Sequence, residues 1–304
     1  MEKILAIVLG LAIPQAHVLF FLNPFLLGLM MVITFSSPIP KQTHGTTFRM
    51  EMRAHLISAA LILLLWGAFR LFGFSHDVLL AGVVLCLAPP ANAAPTVAKV
   101  LGGNAVLALK VYLVGNVVAC FSIPLVLGLF THGTGDFWGC VRAIFASIQP
   151  IIAIPLALAL GFRAFYPEIA DFFARMQKHS LHIWTASVFC IISKAGHDIR
   201  EMGVERLWEN GTLLQIALLS AGLCALLYFL GWVTERHGHP IEAMQSLGQK
   251  NTLLVLWAAQ LYAGPIASLG PVFYVVWQNI VLAMLIRNRE KIKAREGAAA
   301  PTGS

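Results

Sequence analysis

The chain has 304 residues, of which 58% are hydrophobic and only 12% charged, against roughly 25% charged in an ordinary soluble domain. That balance excludes a soluble enzyme or binding module and describes an integral membrane protein. The formal net charge of +7 does not point to nucleic acid, because the basic residues lie between apolar runs and in the tail "RNREKIKAREG" (residues 287–297), where topology accounts for them.

Taken in chain order against a need of roughly 17 to 25 residues per spanning helix, the apolar runs predict about ten spans. They fall near residues 4–22, 23–37, 55–74, 78–100, 105–131, 139–162, 181–196, 212–233, 244–262 and 266–287. The first, "ILAIVLGLAIPQAHVLFFL", lacks a small-residue cleavage site and carries Gln15 and His17, so it reads as a retained span and not as a signal peptide. No stretch is left over for a soluble domain, and residues 1–304 read as one membrane domain, with 291–304 as a cytoplasmic basic tail. Cys86, Cys120, Cys140, Cys190 and Cys224 stand singly in apolar runs without metal-ligand spacing, as small core residues do.

Lys3, Lys41, Arg49, Arg53, Arg163, Arg175, Lys178, Arg236 and the tail fall on one face of this topology, and fewer basic residues fall on the other. The positive-inside rule then puts both termini in the cytoplasm of a multi-pass protein of the cell membrane. An even number of spans allows two inverted five-helix repeats, about 1–131 and 138–290, as in many secondary transporters. Two spans in matching positions look broken. The fourth contains "APPANAAPT" (residues 88–96), whose three prolines cannot continue a helix. The ninth contains Gln245, Ser246, Gly248, Gln249, Lys250, Asn251 and Thr252 inside an apolar run. Matching breaks of this kind point to a binding site near the membrane midplane, and unwound backbone survives there only against protein or a water-filled cavity.

"LGQKNTLLVLWAAQ...GPIASLGPVFYVVWQNI" resembles the ninth and tenth helices of the bile acid:sodium symporter family, which read approximately G-M-Q-N-S and then V-W-H-N. "LAPPANAAPTVAKVLGGNAVLAL" resembles that family's fourth and fifth helices, with P-G-G-T-A-S-N-V and G-N-V-A-L-S. The resemblance implies a ten-helix, all-α fold with a panel domain of helices 1, 2, 6 and 7 and a core domain holding the crossed, broken helices 4 and 9. It also implies transport of a small organic solute by alternating access; relatives carry bile acids, pantoate-like acids and sulfated steroids.

The same resemblance implies two sodium ions, but the matching positions lack the oxygen ligands a hard cation needs. The family's Ser-Asn pair falls on Ala94 and Pro95, or on Pro95 and Thr96. Its helix 5 ligands correspond to Ala108 and Tyr112, its helix 9 Glu and Gln to Ser246 and Lys250, and its helix 3 Gln falls within "SAALILLL". A lysine in a bilayer costs roughly 2.5 to 3.5 kcal/mol and persists where it has partners. Lys250 is therefore expected to act as a built-in cation among the Gln, Asn and Thr oxygens, making the protein sodium-independent; proton exchange on Lys250 is the extension of that idea. The competing reading is a lysine that snorkels to an interface.

The expected substrate and coupling site is Asn92, Pro95, Thr96, Ser246, Gln249, Lys250, Asn251, Thr252, Gln278 and Asn279, with no metal and no cofactor. Lys99 and Lys110 read as snorkelling residues, and Glu242 as part of the loop "ERHGHPIEAM". "FSHDV" and "AGHDIRE" place His76-Asp77 and His197-Asp198 at solvated span ends, Tyr274 and Trp277 read as packing or interfacial aromatics, and "NGT" at Asn210 matches a glycosylation acceptor. The leading function is a secondary transporter of a small organic solute, an anion being favoured by Lys250 and the helix ends facing it. The alternative is a non-transporting membrane receptor that keeps the fold. An intramembrane enzyme is not expected, because no acid lies clearly within a predicted span.

Overall fold

The computed structural model describes residues 2–36, 44–131 and 135–299. The chain folds as α1 (Glu2–Ala12), a 3-10 segment (Pro14–Leu22), α2 (Asn23–Phe35), α3 (His44–Phe72), α4 (His76–Leu87), α5 (Ala94–Leu101) and α6 (Ala105–Thr131). It continues through α7 (Phe137–Phe165), α8 (Pro167–Arg175), a second 3-10 segment (Met176–His179), α9 (Ser180–Met202), α10 (Thr212–Thr234), α11 (Pro240–Gly248), α12 (Thr252–Tyr262) and α13 (Pro265–Ala299). No strand forms among the described residues. Among the described residues six stretches are long and apolar enough to cross a membrane: Pro14–Phe35, Thr46–Phe72, Ala105–Thr131, Phe137–Phe165, Thr212–Thr234 and Pro265–Lys291. The protein is thus an all-α, multi-pass membrane protein. Large apolar side chains on the outer faces of α3 and α6, such as Leu56, Leu63, Phe121 and Leu129, are exposed as lipid contact requires.

Two helices occupy the centre. Every residue of α4 from Val78 to Leu87, and every residue of α12 from Thr252 to Gln260, is buried. A helix apolar on all sides is stable only in such a place. α4 packs against α13, α3 and α10, and α12 against α13, α9 and α4, so both are ringed by longer helices.

The structure corrects three boundaries. The expected spans 4–22 and 23–37 do not meet at residue 22: α1 stops at Ala12, and the apolar run Pro14–Phe35 is one helical stretch. Pro14 has no N–H to continue α1, whereas Asn23 keeps helical dihedrals (φ −60, ψ −44) and breaks nothing. α3 begins at His44 instead of near residue 55, which puts Glu51 on a helix and 2% exposed. α13 runs on to Ala299, so most of the expected tail is helical.

Candidate functional site

α4 ends because Pro89 and Pro90 cannot donate, and the residue before a proline is pushed out of the helical region; Ala88 has φ −57 and ψ 125. α5 restarts with Pro95 in its first turn, where a missing N–H costs nothing. On the other chain segment α11 ends at Gly248, Gln249 is extended (φ −90, ψ 90), and the Asn251 side chain caps α12 by accepting from the Leu254 N–H at 3.3 Å.

The two extended pieces pair with each other. The Asn251 N–H donates to the Pro89 carbonyl and the Ala91 N–H to the Gln249 carbonyl, both at 2.7 Å, making an antiparallel bridge between Pro90 and Lys250. Pro90 sits at the bridge position that needs no N–H, because the bonds run through its neighbours. Each break thereby satisfies backbone groups freed by the other, which an apolar surrounding demands. Two residues one turn apart on α13 hold the pair: the Tyr274 hydroxyl donates to the Gly248 carbonyl at 2.7 Å, and Gln278 Oε1 accepts from the Lys250 N–H at 2.9 Å.

A cavity of about 390 Å³ lies on this crossing. Of the expected site residues, Asn92, Thr96, Gln249, Lys250, Asn251, Thr252, Gln278 and Asn279 line it; Pro95 and Ser246 do not. Its far wall was not legible beforehand: Gln177 and the exposed Lys178 from the second 3-10 segment, Ser180 and Trp184 from α9, and Met30 from α2. The polar run "MQKHS" is the available signal, of which only Lys178 entered the sequence reading, as a topology charge. Asn92 Oδ1, Gln177 Oε1, Ser180 Oγ and Gln249 Oε1 are buried without a hydrogen-bond partner among the described residues. Buried polar atoms of this kind call for a partner, and here all four belong to residues that line one cavity.

A second cavity, of about 400 Å³, is lined by α3, α6, the end of α4 and the two breaks, and Lys250 also lines this one. Ser246 belongs here: its hydroxyl donates to Glu51 Oε1 at 2.9 Å. Glu51 corrects the expectation that no acid lies within a span. Glu242 is not a loop residue either. It is 3% exposed on α11, and its carboxylate accepts from the Asn104 backbone N–H. No hydrogen bond or ion pair forms at the Lys250 ammonium among the described residues. The Gln, Asn and Thr oxygens expected to hold it are engaged instead with backbone, as at Gln278 and Asn251, or face the first cavity.

The remaining candidates lie elsewhere. Lys99 is exposed and Lys110 buried, and neither lines either cavity. His76 and Asp77 open α4. His197 and Asp198 sit within α9 and not at a solvated loop; with Glu201 their ligand atoms cluster within 4.8 Å, but Asp198 is held by Lys194 and by Gln260 Nε2, each at 2.6 Å. Tyr274 and Trp277 are packed with their polar atoms bonded, the latter to the Ala217 carbonyl at 3.3 Å. The side chain of Asn210 lies outside the described residues.

The positions that would hold sodium by the resemblance offer Ala94 and Pro95, or Pro95 and the Thr96 hydroxyl, then a buried methyl at Ala108, the buried phenol of Tyr112, a hydroxyl already given to Glu51 at Ser246, and an ammonium at Lys250. That donor set does not fit a sodium ion, which needs several free oxygens. No protein-family model matches the chain, and no curated protein matches it.

Proposed function

We propose that this protein is a secondary transporter that moves a small polar organic anion by alternating access, without sodium. The observation that carries the reading is the meeting of two broken helices at Pro89–Ala91 and Gln249–Asn251, with a cavity of about 390 Å³ on them. Discontinuous helices crossing at a cavity are how transporters present backbone and side-chain dipoles to a solute. The volume lies within the roughly 300 to 1,000 Å³ typical of small-molecule sites. Lys250 and Lys178 supply positive charge, and Asn92, Gln177, Ser180 and Gln249 line the cavity with polar side chains whose oxygens have no hydrogen-bond partner among the described residues, so a hydroxylated or amidic carboxylic acid matches best.

On this reading α3, the α4–α5 pair and α6 in the first half correspond to α10, the α11–α12 pair and α13 in the second. Each set is a long helix, a broken helix and a long helix, as inverted repeats would give. The segments lining the cavity opposite the crossing, from α2 to α9, form the panel against which the core moves. Both termini are cytoplasmic in this scheme, following the basic loops.

Thermal-shift screening of the purified protein against organic acids tests the reading. A true solute at a hundredfold excess over its dissociation constant stabilises the fold by about 2.7 kcal/mol, and proteoliposomes then accumulate it with no sodium present. Stabilisation without uptake would favour the receptor instead, and no response to any organic acid would remove the anion site.

A further inference from the structure

Lys250 is, among the described residues, the single one that lines both cavities. The second cavity has a different character from the first. Beyond Glu51, His55, Ser58, Ser246 and Lys250 its walls are largely apolar, from Ile62 and Leu63 on α3 to Leu129 and Phe130 on α6. It runs about 18 Å along α3 at 1.5 Å per residue from Glu51 to Leu63 and ends among residues that are exposed on the outer, lipid-facing side.

The carboxylate at its polar end is incompletely paired. Glu51 is buried, Oε1 is bonded by Ser246, and Oε2 has no hydrogen-bond partner among the described residues. His55 Nδ1 stands 3.5 Å from Oε2 but is bonded at 2.8 Å to the Glu51 carbonyl. Gly115 of α6 makes room for Oε2, since a β-carbon there would lie 2.9 Å from it and 2.7 Å from Pro90. From the other elements around it the facing groups are Cys86 of α4, Ser246 of α11 and Lys250 of the break; Lys110 of α6 is buried lower on the same helix, and Glu242 of α11 is engaged at Asn104. A carboxylate oxygen buried without a hydrogen-bond donor is costly to keep charged, and a proton bound there removes that cost.

We propose that Glu51 is a proton-binding site coupled through Lys250 to the anion cavity, so that the solute moves together with a proton. The proposal rests on the transport reading for its consequence but not for its chemistry. An anion in the first cavity and a charged Glu51 in the second would share one ammonium. The two negative charges disfavour each other, so solute binding promotes protonation of Glu51, and protonation of Glu51 removes a charge that competes with the solute for the field of Lys250. The linkage is reciprocal by thermodynamic necessity. Anion binding is then accompanied by proton uptake at Glu51.

The test uses the whole chain reconstituted in liposomes and dicyclohexylcarbodiimide, an apolar reagent that adds to protonated carboxyl groups and reaches them from the lipid side. Peptide mass spectrometry should find Glu51 labelled at acid pH and the label lost as the pH is raised. In Lys250→Met, which removes the positive charge favouring the carboxylate, the loss should move to higher pH; Glu51→Gln should carry no label, and size-exclusion profiles establish that both variants are folded. Absence of label on Glu51 at every pH, label independent of pH, or an unmoved profile in Lys250→Met would each overturn the proposal. None of these readouts requires a solute, so a failure to transport any organic acid would count against the transport reading and leave the proton site standing.

Discussion

Lys250→Met should weaken binding of an organic anion about tenfold to a hundredfold while leaving the fold intact. A hydrogen bond to a charged group is worth about 1.5 to 3 kcal/mol, and each 1.4 kcal/mol is about tenfold in affinity. The mild effect on stability follows from the geometry. The backbone of Lys250, not its ammonium, makes the contacts that hold the crossing, through the bridge to Pro90 and the bond to Gln278. Methionine keeps that backbone and fills similar volume. Lys250→Arg should be a poor substitute, because a planar guanidinium cannot take the compact ammonium's place between two cavities. Equilibrium binding of whichever acid the thermal screen selects measures both variants. Unchanged affinity in Lys250→Met would remove the lysine from the site.

Gly115→Val should do the opposite, damaging stability and function together. Its β-carbon would lie 2.7 Å from Pro90 Cδ and 2.9 Å from Glu51 Oε2. Neither can retreat easily: Pro90 is pinned by the bonds of its neighbours Pro89 and Ala91, and Glu51 is tied to Ser246. Overpacking of this kind typically costs about 1 to 3 kcal/mol, and the strain falls on the crossing itself. The midpoint of thermal or denaturant unfolding in detergent should fall accordingly, with ligand stabilisation reduced as well. Gly67→Ala is the matched control, because a β-carbon at Gly67 meets nothing within 4 Å. Equal stability of Gly115→Val and Gly67→Ala would show that the crossing tolerates displacement.

The breaks were legible because their chemistry is local. Prolines at 89, 90 and 95 forbid a continuous α4, and the polar cluster from Gln245 to Thr252 has no reason to interrupt an apolar run except a site. That the breaks cross, and that Gln278 lies near them, was implied by the family resemblance; the backbone pairing of Pro90 with Lys250 was not read from the sequence. Glu51 was not legible, because "FRMEMRAH" sets it among Arg49, Arg53 and His55 and the segment reads as a polar loop. The helical spacing was present all the same: Glu51, Ala54, His55, Ser58 and Ile62 share one face and line one cavity. Glu242 was missed for a similar reason, although Pro240 just inside a helix start was the signal that α11 begins there. The wall formed by Gln177, Lys178, Ser180 and Trp184 depends on tertiary packing of a short segment against a distant crossing, which no pattern within "MQKHS" encodes.

Sodium independence is the claim on which the account of the crossing turns, and equilibrium binding of radioactive sodium to the purified, full-length protein tests it most directly. With an ammonium at Lys250, a methyl at Ala108, and at most the Thr96 hydroxyl in place of the Ser-Asn pair where the family resemblance would place cation ligands, binding should not rise above that of a protein-free control, with or without a stabilising organic acid. Saturable binding approaching one sodium per chain, displaced by unlabelled sodium and not by potassium, would contradict it.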